Sequence, residues 1–219
     1  MDSLIDISQH PFLTRHGDFC TAMNTVLKKC SLPANVSFPQ LMTQRIELVF
    51  SSKNLNLTRT KRGNALEILF IDSLIKMGVA TDRILDHIRI KHRKIEFDVV
   101  IIPVNPHLPV MCISLKTSIR ERGMPTFDRE AIALTLNLGN VWTDVAEKIG
   151  VGVGAARIYY GVMAREDWGQ PPKHAIDRAR EFATAAFNID DDKLISIYDE
   201  QNMMSLINLA VAYNAVAAE

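Results

Sequence analysis

The chain has 219 residues, 47% hydrophobic and 23% charged, which is the balance of a folded globular protein. Lys plus Arg and Asp plus Glu number 25 each; the zero formal charge argues against a non-specific nucleic-acid coat, whose affinity rests on neutralising phosphates, while leaving room for local basic patches beside an acidic site. There is no run of roughly 18 apolar residues to span a membrane, the start MDSLIDISQHPF lacks the basic and apolar blocks of a secretory signal, and Cys20, Cys30 and Cys112 have neither a close pairing nor metal-ligand spacing, so the expectation is a cytoplasmic protein with reduced thiols.

In chain order, Phe12–Lys29 and Phe38–Phe50 read as helices, with Pro11, Pro33 and Pro39 as breakers. Residues 51–62 (SSKNLNLTRTKR) are polar and basic and read as a loop. A helix follows over Gly63–Met77, closed by Gly78. Arg89–Pro103 alternates and is rich in β-branched residues, the pattern of a strand. After a turn over Val104–Pro109, a second strand is expected at Val110–Ile119. Helices are expected at Asp128–Leu138 and Trp142–Ile149, a third strand at Arg157–Ala164, and a helix at Pro172–Phe187. A short strand at Lys193–Tyr198 and an apolar helix at Asn202–Ala217 close the chain. The reading is one α/β domain with a mixed central sheet, an antiparallel hairpin at its centre and flanking helices.

A hairpin turn centred on His107 sets Asp98 opposite Lys116, Glu96 opposite Ser118 and Val100 opposite Ser114. Alternation then gathers Glu96, Asp98, Ser114 and Lys116 on one face and Ile95, Phe97, Val99, Ile101, Ile113 and Leu115 on the other. The second face is built for a core. The first places acid, hydroxyl and amine at one end of a hairpin. Such a pair can be an ordinary cross-strand ion pair. It is also the equipment for phosphodiester cleavage: a carboxylate for a divalent cation that prefers oxygen ligands and keeps several waters, and a lysine that orients or activates water while the metal stabilises charge on the phosphate.

An acid on one strand followed by Ser-x-Lys on the next, within Ile113–Ala131 (ISLKTSIRERGMPTFDREA), resembles the type II restriction endonucleases of the PD-(D/E)xK superfamily, and within them the EcoRII and NgoMIV type. In that group a small residue stands before x-Lys and the displaced carboxylate comes from the following helix; here the matching position is Glu130, fourteen residues after Lys116 and followed by Ala131. The similarity reaches upstream to Arg62-Gly63-Asn64-Ala65-Leu66-Glu67. Two departures stand out: Phe97 rather than Pro precedes Asp98, and the interval from Asp98 to Ser114 is short. The resemblance implies a restriction-endonuclease-like core, Mg2+ as cofactor held by Asp98 and Glu130, double-stranded DNA as substrate, and Asp98, Lys116, Glu130, Glu67 and Ser114 as the catalytic set. It divides the single nuclease domain, 1–219, into a helical N-terminal part (1–60), a catalytic core (61–165) and C-terminal helices with a short strand (166–219).

Glu67 has a reading of its own. At 100° per residue it falls inside the apolar stripe of Leu66, Phe70, Leu74 and Met77, opposite a polar face of Asp72, Ser73 and Lys76. A carboxylate on a buried side needs a metal, a lysine or a water network; the plain alternative is a first-turn acid favoured by the helix dipole. Glu130 begins a helix that is apolar nearly all round.

Arg120, Glu121 and Arg122 follow the second strand directly and offer both guanine-reading and cytosine-reading groups. Lys61, Arg62 and Lys94, with Lys53, Arg59, Arg89, Lys91 and Arg93, are candidate phosphate contacts. The glycine run Ile149–Ala156 imitates a dinucleotide loop, but a helix precedes it and a strand follows, the reverse of what that chemistry needs. A nuclease with little sequence preference and a non-catalytic DNA-binding protein remain as alternatives. Cutting both strands of a symmetric site implies a homodimer, for which Met203–Ala217 could supply an interface or simply core.

Overall fold

The computed structural model describes residues 2–90, 95–102, 110–117, 156–162 and 185–188, with the backbone alone at 39, 90, 95, 110, 111, 116, 156–162 and 185–188. The expected helices Asp128–Leu138, Trp142–Ile149 and Asn202–Ala217, the strand Lys193–Tyr198 and the glycine run up to 155 lie outside these residues.

Helix α1 (Pro11–Arg15) begins where His10 Nδ1 accepts from the Phe12 N–H at 3.1 Å and Pro11 supplies a pre-set φ at the first position. With Nδ1 accepting, the ring proton sits on Nε2 and is donated to the Ile84 carbonyl at 2.9 Å. His10 thereby ties α1 to the start of the sheet. The single helix expected over Phe12–Lys29 is in fact two: α1 ends at His16 (φ −104°, ψ 23°), and α2 (Gly17–Leu27) starts at the next residue. The break falls where Gly17 weakens helical continuity. It lets Phe12 and Leu13 face the same core as Cys20, Met23 and Leu27.

Helix α3 (Phe38–Ser51) matches expectation to one residue because its start is fully specified: Ser37 accepts from the Gln40 N–H, and the Gln40 side chain accepts from the Ser37 N–H. Helix α4 (Arg59–Lys76) starts four residues before Gly63, so the loop expected over 51–62 is helical in its last four residues. The reason is Thr58, whose hydroxyl caps the Lys61 N–H. Gly63 is therefore interior to the helix rather than its start. The C-terminal signal holds: the helix closes at Met77 and Gly78 takes φ 95°.

The polar face expected on α4 is not a solvent face. Asp72 and Ser73 are buried against α3, where Arg45 Nη2 reaches Asp72 Oδ2 at 2.5 Å and Arg45 Nη1 donates to Ser73 Oγ at 2.7 Å. Lys76 lies 3.7 Å from the same carboxylate, and the Asp6 N–H donates to its other oxygen at 3.3 Å. Pairing is what makes burial of these charges tolerable. With its other residues from Ala65 to Leu74 also buried apart from Glu67, α4 is the central helix of the N-terminal half.

Among the described residues five strands form one sheet in the order β1-β2-β3-β4-β5: β1 (Ile84–Ile90), β2 (Ile95–Ile101), β3 (Val110–Lys116), β4 (Ala156–Val162) and β5 (Ala185–Asn188). The β1–β2 and β2–β3 pairs are antiparallel, and β3–β4 and β4–β5 are parallel. The protein is thus helical with a mixed sheet, and the hairpin expected at its centre is β2–β3. Three expectations are corrected. The strand expected over Arg89–Pro103 is two strands paired with Ile90 opposite Ile95, so β1 begins five residues earlier than foreseen. The helix expected over Pro172–Phe187 ends in strand, since Ala185 pairs with Tyr159 and Phe187 with Gly161; a short run of small and aromatic residues fits a parallel strand as well as a helix end. The hairpin register is displaced by two residues: Val100 lies opposite Cys112, not Ser114, and Val99 opposite Ile113. A two-residue slip keeps every side chain on its face, so the apolar pattern fixes the faces without fixing the register.

The core follows from those faces. Val99, Ile101, Ile113 and Leu115 pack with Leu66, Leu69, Phe70 and Leu74 of α4, and α1–α3 extend the same cluster through Phe12, Met23, Phe38 and Ile46. Phe38 meets Phe70 edge-on, with ring centroids 5.5 Å apart. Each such fully buried side chain stabilises by about 1.5–3 kcal/mol. Among the described residues no helix is long and apolar enough to cross a membrane.

Candidate active site

The site sits where β2 and β3 part. Their pairing runs from Ile101–Met111 to Val99–Ile113, while β3 stays paired with β4 as far as Lys116–Val162. Asp98 is the next residue of β2 beyond the last pair, and its half-buried carboxylate spans the fork. Oδ2 accepts from the Leu115 N–H at 2.6 Å and from Ser114 Oγ at 3.2 Å. A backbone amide that a ladder would otherwise use is given to the carboxylate. Two donors on one oxygen fix the plane of the group, and charge-assisted bonds of this kind are about twice as strong as neutral ones.

Asp98 and Ser114 thus meet as the shared-face argument requires, although Lys116 is not the residue across from Asp98. In the observed register Asp98 continues toward Ser114, and Lys116 lies two residues further along β3, where its backbone pairs with Val162; its side chain is outside the described residues. Ser114, the small residue that the resemblance sets before x-Lys, acts here as a buried donor that holds Asp98. Glu130, Arg120, Glu121, Arg122 and Lys94 lie outside the described residues. Lys61 and Arg62 are exposed on the first turns of α4, with Arg59 beside them and Lys53 nearby in the chain, also exposed. Their exposure suits phosphate contact, and α4 carries the chain from this basic end to Glu67, about 7.5 Å along the axis from Arg62 at 1.5 Å per residue.

Glu67 is 14% exposed, as its place in the apolar stripe requires, and its partner is none of those foreseen. Its Oε2 lies 2.9 Å from Nε2 of His87 on β1, and the other ring nitrogen, Nδ1, lies 3.0 Å from Oε1 of Glu96 on β2. Glu67 Oε2 is fully covered and makes no well-aligned hydrogen bond, so its contact with the imidazole is an ion pair in distance rather than a directed bond. The Glu67 contact is the largest influence on His87, burial opposes it, and Glu96 adds to it; the imidazole pKa is pushed up to about 9. The ring therefore carries a proton at neutral pH. Arg89 Nε approaches the outer oxygen of Glu96 at 3.8 Å.

His87 reaches this position by an unusual backbone. Its φ is 47°, and the β1–β2 register passes from Asp86–Val99 to Ile88–Phe97 without pairing it. The position opposite it on β2 is that of Asp98. A non-glycine residue in the left-handed region costs about 1–3 kcal/mol and persists only where its surroundings over-determine it. Here two carboxylates and the Phe12 ring, 5.5 Å from the imidazole, do so. His87 is hidden in the sequence because the first half of β1 is hidden with it. The available signal was Glu67 itself, an acid on a buried face that demanded a cation.

Among the described residues no group of three or more His, Cys, Asp or Glu is arranged to hold a metal ion. Magnesium needs less from the protein, one or two carboxylates plus waters, and the oriented Asp98 carboxylate suits such a hard cation. Cys112, next to the site, is buried and its thiol is pushed well up by desolvation, which makes it inert as a nucleophile. No protein-family model, curated protein or solved structure matches this chain.

Proposed function

We propose that the protein is a type II restriction endonuclease, hydrolysing double-stranded DNA at a specific sequence with Mg2+, on a restriction-endonuclease-like core. The observation that carries this reading is the Asp98 carboxylate pinned across the β2–β3 fork by Leu115 N–H and Ser114 Oγ, with Lys116 next but one on β3. An orienting amide and hydroxyl on a strand-end acid hold a ligand group in place before any substrate arrives, and preorganisation of that kind is where charge-stabilising sites gain their rate. The mixed sheet, with β2–β3 antiparallel and β3–β4 parallel, is compatible with that core.

In this reading Asp98 and Glu130 hold the metal, which when bound lowers the pKa of a water and neutralises the scissile phosphate. Lys116 orients the attacking water. Ser114 keeps Asp98 aimed, and Glu67 lies at the same end of the sheet through His87 and β2. Lys61, Arg62 and Lys94 contact phosphates, and Arg120, Glu121 and Arg122 read bases. Two copies of the chain cut the two strands, in the cytoplasm of the cell that makes it.

The test is to incubate the purified protein with phage DNA and Mg2+ and to map the ends. Discrete fragments are expected, and Asp98→Asn, which keeps the acceptor and removes the charge, should bind duplex and fail to cut. Smears or end-trimming would point to a nuclease with little sequence preference. Binding without cutting would point to a non-catalytic DNA-binding protein, and full activity of Asp98→Asn or Lys116→Ala would refute the site.

A further inference from the structure

We infer that His87 is a positioning residue of this site: its imidazole bridges Glu67 of α4 to Glu96 of β2 and so fixes Glu67 relative to the β2–β3 fork. The catalytic part of this inference rests on the nuclease reading; the bridge itself does not.

Four observations carry it. The two ring nitrogens each meet a carboxylate, at 2.9 and 3.0 Å, on two different elements, α4 and β2. The His87 backbone is left-handed at φ 47° in mid-strand, a conformation the β1 sequence does not itself favour and which swings the ring out of the ladder. Among the described residues the covered Oε2 of Glu67 has the imidazole, at 2.9 Å, as its charge partner. The gap in the β1–β2 register falls at His87, opposite Asp98, so the bridging residue sits across from the strand position at the fork.

The charged groups around the ring are accounted for from each side. Glu67 comes from α4 and Glu96 from β2. From α1, Phe12 supplies a ring face and Arg15 is committed to Asp86; on β1 itself Arg89 lies against Glu96. Among the described residues the nearby cations Arg15 and Arg89 are thus engaged with other acids, and the imidazole is the charge partner of Glu67. A neutral or shorter side chain at this position would remove the cation beside the covered carboxylate oxygen, and Glu67 would turn toward solvent.

Two arms test the inference on the full-length protein. In the first, nitrogen-15 spectra of the imidazoles are recorded at about pH 7.5, where an ordinary histidine is neutral. Both His87 nitrogens should be protonated, and Glu67→Gln should return the ring to ordinary behaviour; a neutral His87, or shifts unchanged in Glu67→Gln, would overturn the bridge. In the second, DNA cleavage by His87→Gln should show kcat lowered about 10-fold to 100-fold with KM for DNA unchanged, the usual size of an outer-sphere orienting loss. The double variant with Glu67→Gln should be no worse than Glu67→Gln alone. His87→Gly, which accepts the backbone conformation freely, guards against misfolding as the explanation and should show the same kcat loss. Wild-type kcat in both His87 variants would overturn the positioning role. If the wild-type protein cuts no DNA, the nuclease reading and the catalytic part of the inference fall together, while the first arm still decides the bridge.

Discussion

Raising the pH through the His87 range should weaken the fold by an amount that can be worked from its contacts. The imidazole pKa is raised from the ordinary 6.5 to about 9 by Glu67 and Glu96. A raised folded-state value means the protonated ring favours the folded protein, so this contribution is complete below about pH 6.5 and is lost as pH climbs through 9. For a fully buried group the rise would correspond to about 3 kcal/mol. The His87 side chain is 40% exposed, and solvent screening reduces the contribution to about 1–2 kcal/mol. The assay is urea unfolding of wild type and His87→Gln at about pH 6 and about pH 10, taking the difference between the two proteins at each pH. Gln is also a non-glycine residue, so the left-handed backbone cost is common to both and cancels. Wild type should lose about 1–2 kcal/mol more than the variant across the interval. Parallel curves for the two proteins would refute the reasoning, because they would mean that Glu67 and Glu96 do not hold a charged imidazole.

Three further outcomes are expected. Arg45→Ala leaves the buried Asp72 carboxylate, among the described residues, with Lys76 at 3.7 Å and the Asp6 amide, and should cost about 3 kcal/mol or more in urea unfolding; a loss below about 1 kcal/mol would show that Lys76 takes over as the partner. Gly63→Ala places a methyl inside α4 where nothing lies within 4 Å, and should raise stability by about 0.5–1 kcal/mol, read as a higher melting temperature; a lower one would mean that the glycine is needed for close approach. Light scattering of the protein on duplex DNA should give two copies of the chain per site; monomer alone on DNA would exclude the dimer.

The parts of the fold legible in the sequence are those that local rules specify. Ser37 with Gln40 fixed the start of α3, Gly78 fixed the end of α4, and strict alternation told the apolar face of β2–β3 from the polar one. What escaped was set at long range. The hairpin register slipped by two because alternation is blind to even shifts. The start of β1 was hidden because Asp86 and His87 interrupt its apolar pattern, and their roles depend on Arg15, Glu67 and Glu96 elsewhere in the chain. The polar side of α4 was legible as a polar face, but nothing local reveals that Arg45, 27 residues away, covers Asp72. In the candidate site, Asp98 and Ser114 were found by face and spacing and do touch. Glu67 was rightly placed on a buried side, yet its cation could be found only once the strands were in register.

The left-handed His87 also bears on how the molecule keeps to itself. Strand β1 closes the described sheet on one side, and a straight outer strand would offer its row of backbone donors and acceptors to any other chain seeking a sheet to extend. A kink at φ 47° midway along seven residues leaves no long regular run for such a guest to zip onto, and the charged side chains of Asp86 and Arg89 flank it. The left-handed kink therefore also makes this edge of the described sheet a poor template for a further strand.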